Sequence, residues 1–165
     1  FEDDAQHAWH MACMTLILSE YSNEKIDVLK TISMLLIHDL VEIDAGDTYA
    51  YDAKGLKTQN ERETKAAKRI FHLLPEDQAE KMYSLWVEFE ERKTPEAQFA
   101  RVMDNFQPVM LNAITNGKMW EQNQIQLKQI LKRNEKTQEG SDVLYRYMLE
   151  HFIMPNVENG KIKND

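Results

Sequence analysis

The stretch Val28-Leu29-Lys30-Thr31-Ile32-Ser33-Met34-Leu35-Leu36-Ile37-His38-Asp39-Leu40-Val41-Glu42-Ile43-Asp44-Ala45-Gly46-Asp47-Thr48 decides how the chain is read. Val28, Ile32 and Leu35 recur at helical spacing, and the next residue on that stripe is Asp39. The pattern therefore predicts a helix over 25–40 that ends by aiming a carboxylate at the core. A buried carboxylate without a partner is costly, so Asp39 has to be hydrogen-bonded, ion-paired or bound to a metal. Beyond it the sequence becomes polar, and Gly46 permits a turn into a loop over 43–52.

Outward from this stretch the periodicity stays helical. Trp9, Cys13, Leu16 and Ile17 mark an amphipathic helix over 5–22. Further helices are predicted over 58–73 and, after Pro75, over 76–92. Thr94-Pro95-Glu96 is a strong helix start, with an N-cap hydroxyl, proline at the first helical position and an acid at the positive end of the dipole. That helix is expected to run to Asn116, where Gly117 stops it. Pro108 lies inside it and lacks the N–H that would bond the Asp104 carbonyl, so a kink is expected there. Two more helices fit 121–135 and, capped by Ser141, 141–156. No strand, repeat or dividing linker is evident. The reading is all-α, a single compact domain over 1–165.

Composition narrows the function. The chain has 165 residues, 42% hydrophobic and 29% charged, which excludes a disordered tail or a disulfide-stapled miniprotein. The longest apolar run, residues 34–37, is far short of the ~20 residues of a membrane span. With 20 Lys+Arg against 28 Asp+Glu the net charge is −8, which disfavours nucleic acid polymers and anionic lipid as partners. Cys13 is the single cysteine, consistent with a reducing, cytoplasmic setting. The chain opens at Phe1-Glu2-Asp3-Asp4 without an initiator methionine, so a longer natural N-terminus is expected.

Ionisable residues aim inward from three helices. His7 shares a face with Met11, Met14 and Leu18; His38-Asp39 closes the next helix; Asp104 shares a face with Ala97, Ala100 and Leu111. One such residue is ordinarily a satisfied core group. Several from separate helices suggest a common partner, and one divalent cation would serve two imidazoles and two carboxylates while keeping positions open for water.

In order and local sequence these residues resemble the H…HD…D signature of HD-domain metal-dependent phosphohydrolases. The resemblance is carried by Gln6-His7-Ala8-Trp9, by residues 36–48, by Trp86-Val87-Glu88-Phe89-Glu90-Glu91, and by Thr94-Pro95-Glu96 through Asp104-Asn105-Phe106-Gln107-Pro108. It covers 2–116 and is closest to the 5′-deoxynucleotidase branch. Gln6 stands where the family often has Glu, and the Arg-Trp pair that the branch carries upstream of its first ligand is not within this sequence.

The resemblance implies an HD-domain bundle with a metal site between helices and His7, His38, Asp39 and Asp104 as ligands. It also implies Glu42 as catalytic acid/base, four residues after His38, and Asp47 as the group that orients water or substrate. The ion itself, Mn, Co, Fe, Zn or Mg, is not specified. The implied substrate is small and phosphorylated, a deoxyribonucleoside 5′-monophosphate cleaved to deoxynucleoside and phosphate. Another phosphate ester (cyclic or polyphosphorylated nucleotide) and a non-catalytic metal- or nucleotide-binding regulator are the alternatives. His10 is expected to face the phosphate, and His72 and His151 to be structural. Asp44, Asp47 and Asp52 lack the spacing of an EF-hand. Lys118, Lys128, Lys132, Arg133 and Lys136 read as a solvated basic face. Homodimers occur in the family, and Tyr145, Tyr147 and Phe152 are the apolar residues expected at such an interface.

Overall fold

The computed structural model describes residues 2–48 and 55–164, so Asp52 of the polar loop lies outside the described residues. The described chain is built from helices, and its single β-bridge joins Gln126 and Lys163. Helix α1 spans Asp4–Leu18 and opens with a capping box in which the Asp3 carboxylate accepts from the Gln6 N–H and the Gln6 side chain accepts from the Asp3 N–H. Helix α2, Val28–Ile37, is N-capped by Asp27 and passes into a tighter 3₁₀ turn, His38–Val41, then a short α3, Glu42–Ala45. Helices α4 (Leu56–Phe71) and α5 (Glu76–Glu91) form a hairpin, and α6 runs over Pro95–Ile114.

Helix α6 is the axis of the fold. Ala97, Phe99, Ala100, Val102, Met103, Phe106 and Val109 are all buried, which means burial on every side. Its Thr94 cap and Pro95 start match the expectation, and the helix continues through Pro108 to Ile114. It ends because Asn116 and Gly117 adopt positive φ, with the Gly117 N–H donating to the Asn112 carbonyl at 2.8 Å. Only glycine fits there: a Cβ would lie 2.7 Å from that of Lys161.

The C-terminal region is more broken than its periodicity suggests. In place of one helix over 121–135 the chain forms α7, Lys118–Gln122, and α8, Leu127–Arg133. The interruption brings Ile125 and Leu127 against Lys163, whose backbone exchanges hydrogen bonds with both. Next come α9 (Thr137–Gly140) and α10 (Asp142–Met148), the latter capped by Ser141 as expected. A π-turn over Leu149–Ile153 joins it to α11, Met154–Glu158.

One apolar cluster runs from Met11 through Phe99 and Met103 to Ile162; a second holds Val41, Ala66, Ala67, Phe71 and Trp86 between α3, α4 and α5. The expected stripe on α1 is reversed. Trp9, Leu16 and Ile17 are 66%, 65% and 70% exposed, while Ala8, Met11 and Met14 are buried on the face that carries His7. Leu29 and Leu36 of α2 and Ile43 of α3 are exposed as well. Tyr147 and Phe152 gather around Phe106, with ring centroids 5.4–6.4 Å apart, while Tyr147 stays 47% exposed.

Candidate metal centre

Each helix delivers its ionisable residue to one place because a helix side chain is fixed in direction by its own turn. His7 comes from α1, His38 and Asp39 from the 3₁₀ turn after α2, and Asp104 from the middle of α6. One donor atom each from His7, His38 and Asp39 lies within 4.8 Å of the others. Asp104 Oδ1 is 3.4 Å from His7 Nε2 and 3.5 Å from His38 Nε2. The four predicted ligands therefore share one site.

Side chains behind the cluster set its chemistry. His38, 5% exposed, donates Nδ1–H to the Leu35 carbonyl at 2.9 Å and packs on the Phe89 ring. That bond turns Nε2 toward the site. Nε2 lies 2.9 Å from Asp39 Oδ1, yet this buried atom has no aligned hydrogen-bond partner. An imidazole lone pair and two carboxylates turned on one point repel each other unless a proton or a cation sits among them. With no cation, burial lowers the His38 pKa, but Asp104 and Asp39 outweigh it and hold it at about 10. Two imidazoles and two carboxylates turned on one point are a donor set that suits a divalent cation in place of that proton.

His7 is oriented in the same manner, its Nδ1 3.3 Å from Glu2 Oε2. Gln6, where the family often has Glu, is occupied in the α1 cap instead. Asp104 is aimed by Arg101, which donates from Nη1 to Oδ2 at 2.7 Å while its guanidinium lies 4.5 Å over the Phe89 ring. Burial opposes ionisation of Asp104, but Arg101 and the two histidines hold its carboxyl well below the usual range.

These residues line a pocket of about 550 Å³ that also takes in Glu42, Asp47, Glu63 and Glu90. Burial, then the nearby Asp39 and Asp47 carboxylates, pushes the Glu42 carboxyl up to about 8. Asp47 follows Gly46, whose φ of 75° turns the loop back to the pocket. Arg62 holds that loop through the Ala45 carbonyl and the Thr48 hydroxyl. Asp44 turns away to pair with Arg69.

One expectation, the role of His10, is corrected by the fold. His10 is not among the residues lining this pocket, and its Nδ1 accepts from Gln107 Nε2 at 3.1 Å. Lys118, Lys128, Lys132, Arg133 and Lys136 are all exposed, and Arg133 also lines the pocket. Pro108 lies inside α6, which is helical on both sides of it, as expected of a helix running to Asn116. His72 bonds a carbonyl of its own helix and His151 packs on Tyr147, both outside the site. Glu2, Arg92, Arg101 and Glu63 join the pocket without having been expected there. Glu63 carries the same signal as Asp39, an acid on the stripe of Ala66, Ala67 and Phe71, and it is 6% exposed. Arg101 carries a weaker one, three residues before Asp104 on a helix.

Comparison with known proteins agrees with this architecture. A crystal structure of a predicted metal-dependent phosphohydrolase from Magnetospirillum magnetotacticum MS-1 superposes with a TM-score of 0.91 at 40% identity, over 98% of this chain and 80% of that one. Human 5′-deoxynucleotidase HDDC2 is 28% identical over 109 residues, 66% of this chain and 52% of that protein. Fission yeast 5′-deoxynucleotidase hdd1 is 29% identical over 112 residues, 66% of this chain and 55% of that protein. The matched region spans about half the length of these curated relatives. Residues 1–144 match the HD domain family, and the chain belongs to that family.

Proposed function

We propose that this protein is a metal-dependent phosphohydrolase of deoxyribonucleoside 5′-monophosphates, acting as one HD domain with a single divalent ion. The observation that carries the reading is the convergence of His7, His38, Asp39 and Asp104 around the unpartnered His38 Nε2. Those four residues would hold the ion, which when bound supplies Lewis acidity and charge neutralisation at the phosphoryl oxygens. Glu42 takes a proton from the attacking water as its oxygen bonds phosphorus. The ester P–O bond breaks, and Glu42 returns the proton to the leaving oxygen. Burial and the neighbouring Asp39 and Asp47 carboxylates raise the proton affinity of Glu42 above that of an ordinary glutamate, which suits a group that takes up a proton and returns it. Asp47, at the pocket mouth, orients the water or the sugar. The monophosphate substrate is supported by the names of the relatives and the resemblance in residues 36–48.

Turnover of a panel of phosphate esters with added Mn²⁺ or Co²⁺ tests this. Deoxynucleoside 5′-monophosphates are expected to be the best substrates, ahead of cyclic and polyphosphorylated nucleotides. Asp39→Ala is expected to abolish turnover and metal binding together. Glu42→Ala is expected to keep the metal and lose about 10²–10⁴ in kcat. A Glu42→Ala enzyme with wild-type kcat removes Glu42 from the mechanism. A cytoplasmic homodimer completes the reading; a second copy would cover the exposed apolar side chains of α1 to α3, and sedimentation mass checks it.

A further inference from the structure

The pocket is lined by three arginines as well as its acids: Arg92, Arg101 and Arg133. Arg101 is already committed to Asp104 and Glu90. Arg92 and Arg133 have no ion pair with a carboxylate among the described residues, in a protein of net charge −8. Arg92 is also held in an unusual place. It closes α5 in the left-handed region at φ 56°, a conformation that disfavours residues with a Cβ, with its N–H donating to the Glu88 carbonyl at 3.2 Å. Burial and the nearby Arg101 lower its pKa, Glu90 and Asp104 oppose that shift, and Arg133 adds to it. Like charges crowded on one wall call for an anion.

A second observation is independent of charge. Asn134, 1% exposed, lines the same pocket with Oδ1 unpartnered. Its Nδ2 donates to the Ile130 carbonyl at 2.9 Å, and a carbonyl partner fixes which end is nitrogen. Asn112 repeats the device, with Nδ2 on the Pro108 carbonyl and a buried, unpartnered Oδ1. Two amides tied back to their own helices thus offer bare acceptors beside Trp120. A buried acceptor without a donor is costly, so the matching donors belong to whatever fills the pocket.

We infer that Arg92 and Arg133 form the wall that binds the phosphate of the substrate, and that Asn112 and Asn134 receive hydrogen-bond donors of the alcohol esterified to it. This rests on the phosphohydrolase reading and deepens it. The ligand has a dianionic end matching two arginines without an ion-pair partner among the described residues and a donor-bearing, partly flat end matching two amide oxygens and an indole. A nucleoside 5′-monophosphate has both; a simple alkyl phosphate has the first alone.

Calorimetric titration separates the two ends without turnover. Inorganic phosphate and, separately, deoxyadenosine are titrated into wild type and variants, with and without Mn²⁺. Arg92→Gln and Arg133→Gln are each expected to weaken phosphate binding about tenfold, the worth of one charge-assisted hydrogen bond, while Mn²⁺ affinity and deoxyadenosine binding stay unchanged. Arg92→Lys is expected to recover part of the loss. Asn112→Leu is expected to weaken deoxyadenosine about tenfold and leave phosphate alone. Phosphate affinity within twofold of wild type in both arginine variants overturns the wall. If those variants bind phosphate normally while the wild type hydrolyses the esters, the wall falls and the hydrolase stands. A wild type that binds phosphate through the arginines but hydrolyses none of the esters leaves the wall standing and overturns the hydrolase.

Discussion

Glu42 shows how one side chain acquires a function from its surroundings. Its pKa rises from the ordinary 4.5 to about 8 because burial and then Asp39, Asp47, Asp4 and Glu63 disfavour its charge. In metal-free protein the folded state therefore keeps a proton that the unfolded chain has already lost between these two pH values. Stability from this group is complete below pH 4.5 and is lost as pH rises through about 8. His38, raised from 6.5 to about 10, shifts stability in the same direction at higher pH, so the informative quantity is the difference between variant and wild type. Glu42→Gln in chelator is expected to match the wild-type melting temperature near pH 4 and to exceed it increasingly up to pH 9. Parallel curves across that range would mean that the Glu42 carboxyl titrates like an ordinary one.

At the scale of elements, the site depends on how closely α9 is held against α6. Gly140 ends α9 with its backbone on Gln98: an added Cβ would stand 2.6 Å from the Gln98 carbonyl oxygen and 2.7 Å from Val102 Cγ2. Next to Asp104, Asn105 donates to the Thr137 hydroxyl of α9 at 3.1 Å. Gly140→Ala cannot be accommodated by a rotamer change, because the obstruction includes backbone. Thermal unfolding is expected to show a loss of about 1–3 kcal/mol, the usual cost of overpacking. A variant as stable as wild type would mean that α9 moves away freely. The 3₁₀ turn over His38–Val41 matters in the same way, since a tighter turn lets consecutive residues His38 and Asp39 both reach the cluster.

For the whole molecule, the site joins α1, α2 and α6, so an ion held there links elements that are far apart in sequence. Folded protein binds it and unfolded chain does not, so metal stabilises by mass action. At free Mn²⁺ about 100-fold above Kd the gain is about 2.7 kcal/mol, or roughly 5–10 °C in melting temperature for a chain of this size. Excess chelator is expected to reverse the shift, and Asp39→Ala to abolish it. No helix of the described residues is long and apolar enough to cross a membrane.

Sequence alone determined the helical class, the caps at Thr94 and Ser141, and the three positions where an ionisable residue interrupts an apolar stripe. These are local matters: periodicity, caps and the cost of burying charge act within a few turns of one helix. It left two candidate inner faces on α1, one marked by Trp9, Leu16 and Ile17 and one by His7, Met11 and Met14. Trp9, Leu16 and Ile17 are more apolar than the face carrying His7, yet α6 covers the latter, and a single helix contains no record of its neighbour. The arginine wall and the bare amide oxygens were equally invisible. Arg92, Asn112 and Arg133 belong to three different helices or their ends, and only packing of α5, α6 and α8 around one cavity makes them neighbours. Charge and hydrogen-bonding capacity are written in each residue, but what they face is decided by tertiary contacts between distant segments.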